Sequence, residues 1–215
     1  MTTMMEKHIE NYIRLALQTN TSTISDILRR RGVLGRCTYG FDHTTSTHAL
    51  AGFAHTVRTV PNENGSWKRT DFDRIFDGIE SGDVIVIAND GAPVASLGDM
   101  ACLCAKTKGA LGAVIDGCIR DAEAVVEMDW PVFTKGFVPF STVGRADLIS
   151  VEKPILCGGA EVSEGDFVLS DKSGIVFIPK EIYQKVIDEA IVAESNEDKI
   201  RAAILGGMDF SESFG

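Results

Sequence analysis

The chain has 215 residues, 44% hydrophobic and 24% charged, which suits one sizeable core and is short for two. A formal net charge of −10, with scattered lysines and arginines, gives no basic face for phosphates and argues against nucleic acid as a partner. No stretch approaches the ~20 apolar residues of a membrane span, and five cysteines without a secretory signal read as reduced thiols, so a cytoplasmic protein with no membrane partner is expected.

The opening MTTMMEKHIENYIRLALQTN predicts an amphipathic helix with Ile9, Tyr12, Ile13, Ala16 and Leu17 on one face. Thr23-Ile24-Ser25-Asp26 resembles a capping box with Asp in place of Glu, and opens a short helix that stops before Gly32. The Arg29-Arg30-Arg31 triplet suits the C-terminus of that helix. Short strands such as 53–60 follow, then a loop over 61–65 and a helix over 71–79. Ser81-Gly82-Asp83 turns into the β-branched run 84–88, a buried strand, which gives way to a loop over 89–97. A helix over 100–108, a strand over 113–115, a helix from about 121 to 128 and a strand over 132–134 predict an α/β core with crossovers. Strands at 148–151, 155–157, 167–169 and 175–178 make the second half β-rich. A charged helix over 181–205 ends at Gly206-Gly207. No linker or repeat divides the chain, so 1–215 is one domain, with N-terminal helices in 1–35 and a C-terminal helix in 181–207.

Two strand-to-helix junctions carry acids, where open α/β folds gather ligands: LGDMACLCAK with Asp99, and DGCIRDAEAV with Arg120 and Asp121. The plain alternative is that Asp99 and Asp121 are N-caps, each contributing about 1 kcal/mol. Arg120 weighs against it, because a cation at a helix N-terminus opposes the macrodipole and calls for another purpose, such as an anionic ligand. Two carboxylates beside a guanidinium suit a hard divalent cation holding an oxyanionic substrate. Other candidates are weaker. His43, His48 and His55 lack a Cys or acidic partner at zinc-ligand spacing, and Cys102 and Cys104 point apart on a helix. Lys135 in FTKGF is a Schiff-base candidate only if buried, and Gly158-Gly159 lacks a dinucleotide-binding context.

GDMACLCAKTKGALGAVIDGCIRD resembles the signature of the family shared by the regulator of ribonuclease activity A and the class II pyruvate aldolases. The resemblance extends from SDILRRRGVLG through PVFTKGFVPFSTVGRADLISVEKPILCGGAEVSEGDFVLSDKSGIVFIP to the terminal helix. It implies a swivelling β/β/α domain in a homotrimer or homohexamer. It also implies cleavage of 4-hydroxy-4-methyl-2-oxoglutarate or 4-carboxy-4-hydroxy-2-oxoadipate to pyruvate, with oxaloacetate decarboxylation at the same site. By the same resemblance Asp121 binds Mg2+ or Mn2+ and Arg120 grips the pyruvyl part of the substrate. The amides of Gly98, Asp99, Met100 and Ala101 receive its carboxylate, and Asp99 orders metal-bound water. Glu197, or alternatively Glu194, completes a neighbouring subunit's site. Met100 stands where leucine is common. The alternatives are a non-enzymatic, protein-binding regulator of ribonuclease activity, or another lyase on the same scaffold.

Overall fold

Residues 84–88 alternate between two layers: Ile85 and Ile87 enter one apolar cluster, Val84, Val86 and Ala88 the opposite one, and all five are fully buried. A strand apolar on both faces needs cover on both, and the computed structural model, which describes residues 4–41 and 43–214, supplies it. In chain order the elements are α1 (Met4–Ala16), α2 (Thr21–Arg30), β1 (Cys37–Thr38), β2 (His43–Thr44), β3 (Leu50–Pro61), α3 (Asp71–Phe76), β4 (Asp83–Leu97) and α4 (Asp99–Lys108). There follow β5 (Gly112–Ile119), α5 (Ala122–Glu127), β6 (Val132–Phe137), β7 (Ala146–Val151), β8 (Ile155–Cys157), β9 (Ala160–Val162), β10 (Phe167–Asp171), β11 (Gly174–Ile178) and α6 (Tyr183–Leu205).

Among the described residues, nine strands form one sheet in the order β1-β11-β10-β3-β4-β5-β6-β2, with β7 also on β3. Strands β3 to β6 run parallel, as the crossovers through α3, α4 and α5 require. One face packs Trp67, Phe76, Cys102, Val125 and Trp130. The other is covered by Phe41 and the β8–β9 hairpin. Helices α1, α2 and α6 close a third cluster over β10 and β11, where Ile24, Leu28, Phe167, Val186 and Ile187 are buried. This is the mixed α/β architecture expected.

Several local expectations are corrected. The cap of α2 is Asn20, whose side chain accepts from Thr23 N at 2.8 Å, so the helix starts ahead of the expected box. Leu17 lies past the end of α1 and is 45% exposed, outside the apolar face assigned to it. Helix α3 ends at Phe76, three residues early. The expected loop 89–97 is the second half of β4: Asp90 (φ 52°) and Gly91 (φ 67°) adopt left-handed backbone, and the register against β5 slips between Ala88 and Ala92. Turn-forming residues here kink a strand instead of ending it. Strand β5 runs on to Ile119, and β9 was not expected. The later strands β7, β10 and β11 join the central sheet.

A buried polar group ties α3 to this frame. His55 is fully buried, with Nε2 2.8 Å from the Ile75 carbonyl and Nδ1 3.3 Å from Glu164 Oε1. Burial lowers its pKa, but the hydrogen bond and charge of Glu164 outweigh that and leave it raised. Nearby, burial pushes the Asp83 carboxyl up to about 6, against the Glu80 amide and the His55 charge, which pull it down. The folded state thus holds a proton on Asp83 that the unfolded chain releases near pH 4. Stability from this group is therefore lost as pH rises from about 4 to about 6. Asp83→Asn keeps an acceptor for the Glu80 amide and is expected to raise thermal stability at pH 8, by about 1 kcal/mol or more, with little effect at pH 4. Equal effects at both pH values in unfolding scans would refute this.

Candidate active site

Strands β4 and β5 are parallel neighbours with Leu97 opposite Ile119, so the two acidic junctions leave the sheet side by side. Arg120 N donates to Leu97 O at 3.1 Å and Cys102 N to Gly98 O at 2.9 Å, which fixes the first turn of α4 against the end of β5. Arg120 Nε lies 3.3 Å from Asp121 Oδ2, and that oxygen also accepts from Asp99 N at 3.4 Å. Asp99 Oδ1 accepts from Met100 N at 2.7 Å. Two of the first amides of α4 thus face carboxylate oxygens of the chain itself, as the positive end of a helix dipole favours.

Neither acid makes a side-chain hydrogen bond from an N-cap position. The residue at the N-cap of α4 is Gly98, and Asp121 occupies the N-cap of α5 in left-handed backbone (φ 56°, ψ 41°) without a side-chain capping bond. That conformation is costly for a residue with a Cβ, though Asp tolerates it better than most. It aims the carboxylate at Arg120 and α4 instead of α5. The plain-cap alternative is corrected for α5, whereas at α4 the two carboxylates accept from first-turn amides.

A side chain at position 98 would crowd the Arg120–Asp121 pair. A Cβ there would stand 2.6 Å from Asp121 Oδ2 and 2.9 Å from Arg120 Nε. Gly98→Ala is expected to leave the fold intact and displace the Arg120–Asp121 pair, so that any reaction depending on that pair slows by up to about 100-fold, as a misplacement of roughly 1 Å can do. Unchanged rates of such a reaction in Gly98→Ala would show that the close packing has no role.

A cleft of about 320 Å³ opens at the junctions, lined by Gly98, Asp99, Met100, Ala101, Cys104 and Arg120. Its floor is the end of β4 (Ala95, Ser96, Leu97), and its other walls are Arg69, Phe72, Asp73 and Phe76 around α3 and Ser141 and Val143 from the β6–β7 loop. A larger hollow of about 610 Å³, lined by residues 40–41, 44, 46–49, 133 and 171–175, contains neither junction. The cleft is where the chemistry gathers.

The side chains of Arg120 and Asp121 are 39% and 40% exposed, reachable yet partly shielded. Cys102, buried beneath Asp99 and Asp121, has its thiol pushed up to about 12 by burial and then by those two charges, so it stays neutral. No three His, Cys, Asp or Glu side chains gather into a metal-binding group among the described residues. Magnesium needs no such cage: one or two carboxylates suffice, with water and ligand oxygens completing the shell. Asp121, with Asp99 beside it, fits that donor set.

A model of the RraA-like family (Aldolase/RraA) matches residues 21–177. The chain belongs to that family. It is 30% identical over 156 residues to a Halalkalibacterium halodurans protein named "Putative 4-hydroxy-4-methyl-2-oxoglutarate aldolase", covering 72% of this chain and 71% of the relative. It is 25% identical over 204 residues to DlpA of Legionella pneumophila, covering 94% of this chain but only 33% of DlpA, so the chain spans a third of that relative's length. Among solved structures it resembles Streptomyces coelicolor RraAS2, described as an unusual member of the RNase ES inhibitor RraA family. The TM-score is 0.76 and the identity 27%, over 89% of this chain and 96% of that one. The RraA-like architecture is therefore the fold of this chain, and the family relatives named as aldolases support a lyase role at family level.

Of the residues singled out from sequence, Gly98, Asp99, Met100, Ala101 and Arg120 share the cleft, and Asp121 touches two of them. Glu197 is not brought there within one chain; it sits exposed on the distal half of α6. Glu194 is committed elsewhere, its Oε1 accepting from Asn20 Nδ2 and Thr23 Oγ1, both at 2.7 Å. Lys135 lies outside the cleft lining, with Nζ 4.4 Å from the Phe41 ring centroid. His55 and His48 have separate partners, Glu164 and Asp129, and the side chain of His43 lies outside the described residues. The α3 wall and Ser96 were missed, because no motif marks them; only the fold brings them to the junctions.

Proposed function

We infer that the chain is a divalent-metal-dependent carbon–carbon lyase, cleaving 4-hydroxy-4-methyl-2-oxoglutarate-type acids to pyruvate and a second oxo acid, with oxaloacetate decarboxylation as a side activity. The observation that carries this is the convergence of Arg120, Asp99 and the amino end of α4 on one cleft, with Asp121 in contact with both Arg120 and Asp99. Membership of the RraA-like family and the relatives named as aldolases support it. Asp121 would hold Mg2+ or Mn2+, which when bound supplies Lewis acidity toward the oxygens of a 2-oxo acid.

The chain's own groups do the rest. The α4 amides bind the substrate carboxylate, displacing the carboxylates that now face them. Arg120 stabilises the negative charge that grows on the ketone oxygen as the C3–C4 bond breaks and its electron pair moves into the pyruvate enolate. The C4 hydroxyl gives up its proton to a general base, a water in the cleft, and becomes the carbonyl of the second product. A water held between Asp99 and Arg120 returns a proton to C3. Decarboxylation of oxaloacetate passes through the same enolate, with carbon dioxide leaving in place of the oxo acid.

Glu197 of a neighbouring subunit would complete the site, in a homotrimer or homohexamer. Support comes from α6, whose buried positions are Val186, Ile187 and Ala190, all in its first half. Beyond them Val192 is 61%, Leu205 83% and Phe210 73% exposed, apolar surface of the kind that subunit contacts cover. No helix among the described residues is long and apolar enough to cross a membrane.

The likeness to RraAS2 favours a second reading, a protein-binding regulator of ribonuclease activity. The two part on metal binding. Calorimetry with magnesium and manganese should show binding to the wild-type chain that Asp121→Asn abolishes. Identical behaviour of the two proteins would remove the metal site and favour the regulator.

A further inference from the structure

His55 takes no part in the chemistry proposed above, yet its surroundings connect it to the cleft. The ring is fully buried, and each of its nitrogens meets an acceptor: Nε2 lies 2.8 Å from the Ile75 carbonyl and Nδ1 3.3 Å from Glu164 Oε1. A carbonyl cannot donate. Glu164 acts as a carboxylate, its Oε2 accepting from Thr56 N at 2.7 Å and from Thr56 Oγ1 at 2.9 Å. A neutral imidazole has one N–H, so either tautomer would press a ring lone pair against an acceptor oxygen in the interior. Only the imidazolium satisfies both partners.

The charged groups around the ring agree. Burial, the largest single influence, opposes the charge, but the Glu164 hydrogen bond and the charges of Glu164 and Asp83 together outweigh it and raise the pKa above 6.5. Glu164 comes from the β9–β10 turn and Asp83 from the start of β4. Glu152, just past β7, lies across Gly78 from the ring, and Glu80 acts on Asp83. On α3, Asp71 and Arg74 face each other at 3.8 Å.

The Ile75 carbonyl belongs to the last turn of α3, where a helix leaves carbonyls without partners. Phe72, Asp73 and Phe76 of the same six-residue helix line the cleft. When the ring loses a proton, two bonds from Thr56 still fix Glu164, so the remaining N–H stays with the carboxylate and the single bond to α3 gives way. We propose that His55 is a pH-sensitive positioning residue for the cleft: its imidazolium latches the α3 wall to the central sheet through the Ile75 carbonyl, and loss of the second proton releases that wall. The inference rests on the geometry of the cleft and not on the lyase reading, so its test involves no turnover.

Two measurements on the full chain, followed from pH 6 to pH 9, test it. Ring resonances of His55, assigned by their loss in His55→Gln, report its protonation. Amide hydrogen exchange over residues 75–79, corrected for the intrinsic pH dependence of exchange, reports the hold on α3. His55 should be doubly protonated at pH 6 and titrate above 6.5, the stabilisation being full below that value and lost as pH rises through the folded pKa. Exchange in α3 should rise about tenfold or more with the same midpoint. In Glu164→Gln a side-chain amide can donate to Nδ1 and leave the one ring proton for Ile75. The His55 midpoint should then fall below 6.5, because burial is left without its main opponent, and α3 should stay protected to pH 9. In His55→Gln, which cannot carry the charge, α3 exchange should lose its pH dependence. A singly protonated ring at pH 6, or α3 exchange that does not follow the His55 midpoint, would overturn the proposal. A pH dependence of α3 that survives Glu164→Gln unchanged would assign it to another group, such as Asp83, and overturn it equally. The wild-type titration alone decides the matter if either variant fails to fold.

Discussion

Arg120→Lys is expected to retain magnesium affinity and thermal stability while pyruvate release falls about 100- to 1000-fold. Lysine keeps the charge but not the planar fork, and a preorganised pair of donors on a carboxylate and a developing enolate oxygen cannot be replaced by a point charge. Arg120→Ala should be at least as slow. The neighbouring acid should fail differently. Asp121→Asn preserves the shape of the side chain, and Asn also tolerates left-handed backbone, so the fold should stand while metal affinity is lost. If the pair served only the start of α5, Asn would cap as well as Asp and both variants would be fully active. Magnesium titration, thermal unfolding and pyruvate release on the three variants separate these cases.

The second large effect concerns assembly. If α6 lends Glu197 to a neighbour, Glu197→Ala and Asp121→Ala subunits are each inactive alone, yet a mixed oligomer contains some sites with both groups intact. Co-refolded mixtures should therefore regain a substantial fraction of activity, on the order of a quarter for random pairing across each interface, because one pairing in four joins two intact contributions. Glu194→Ala should act differently, by loosening the contact of α6 with Asn20 and Thr23 and lowering stability. No recovery in verified mixed oligomers would place the whole site within one chain.

How far the sequence discloses this site depends on whether each contact is local. Asp99, Arg120 and Asp121 are legible because each follows an apolar strand and opens a helical pattern, and a cation there contradicts the helix dipole. Their mutual geometry is not. The close approach of residue 98 to the side chains of residues 120 and 121, more than twenty positions away, registers only once β4 and β5 lie side by side. The left-handed backbone of Asp121 is hidden for the same reason: Asp before a helix reads as a cap until the direction of its carboxylate is known. Asn89-Asp90-Gly91 misleads outright, since turn chemistry between apolar runs signals a loop, whereas here it kinks a strand that continues to the site. Arg69 and Ser96 carry no local signal at all. One leads into a short helix and the other lies in an apolar strand end, and they meet in the cleft only through tertiary packing.

The central claim is that this cleft breaks a carbon–carbon bond with a divalent metal held at Asp121. The direct measurement is pyruvate release from 4-hydroxy-4-methyl-2-oxoglutarate and from oxaloacetate, run with magnesium, with chelator, and with chelator followed by excess magnesium. The account predicts release from both acids, abolished by chelator and restored by the added metal. Release that chelator leaves untouched, or no release from either acid under any condition, would contradict it.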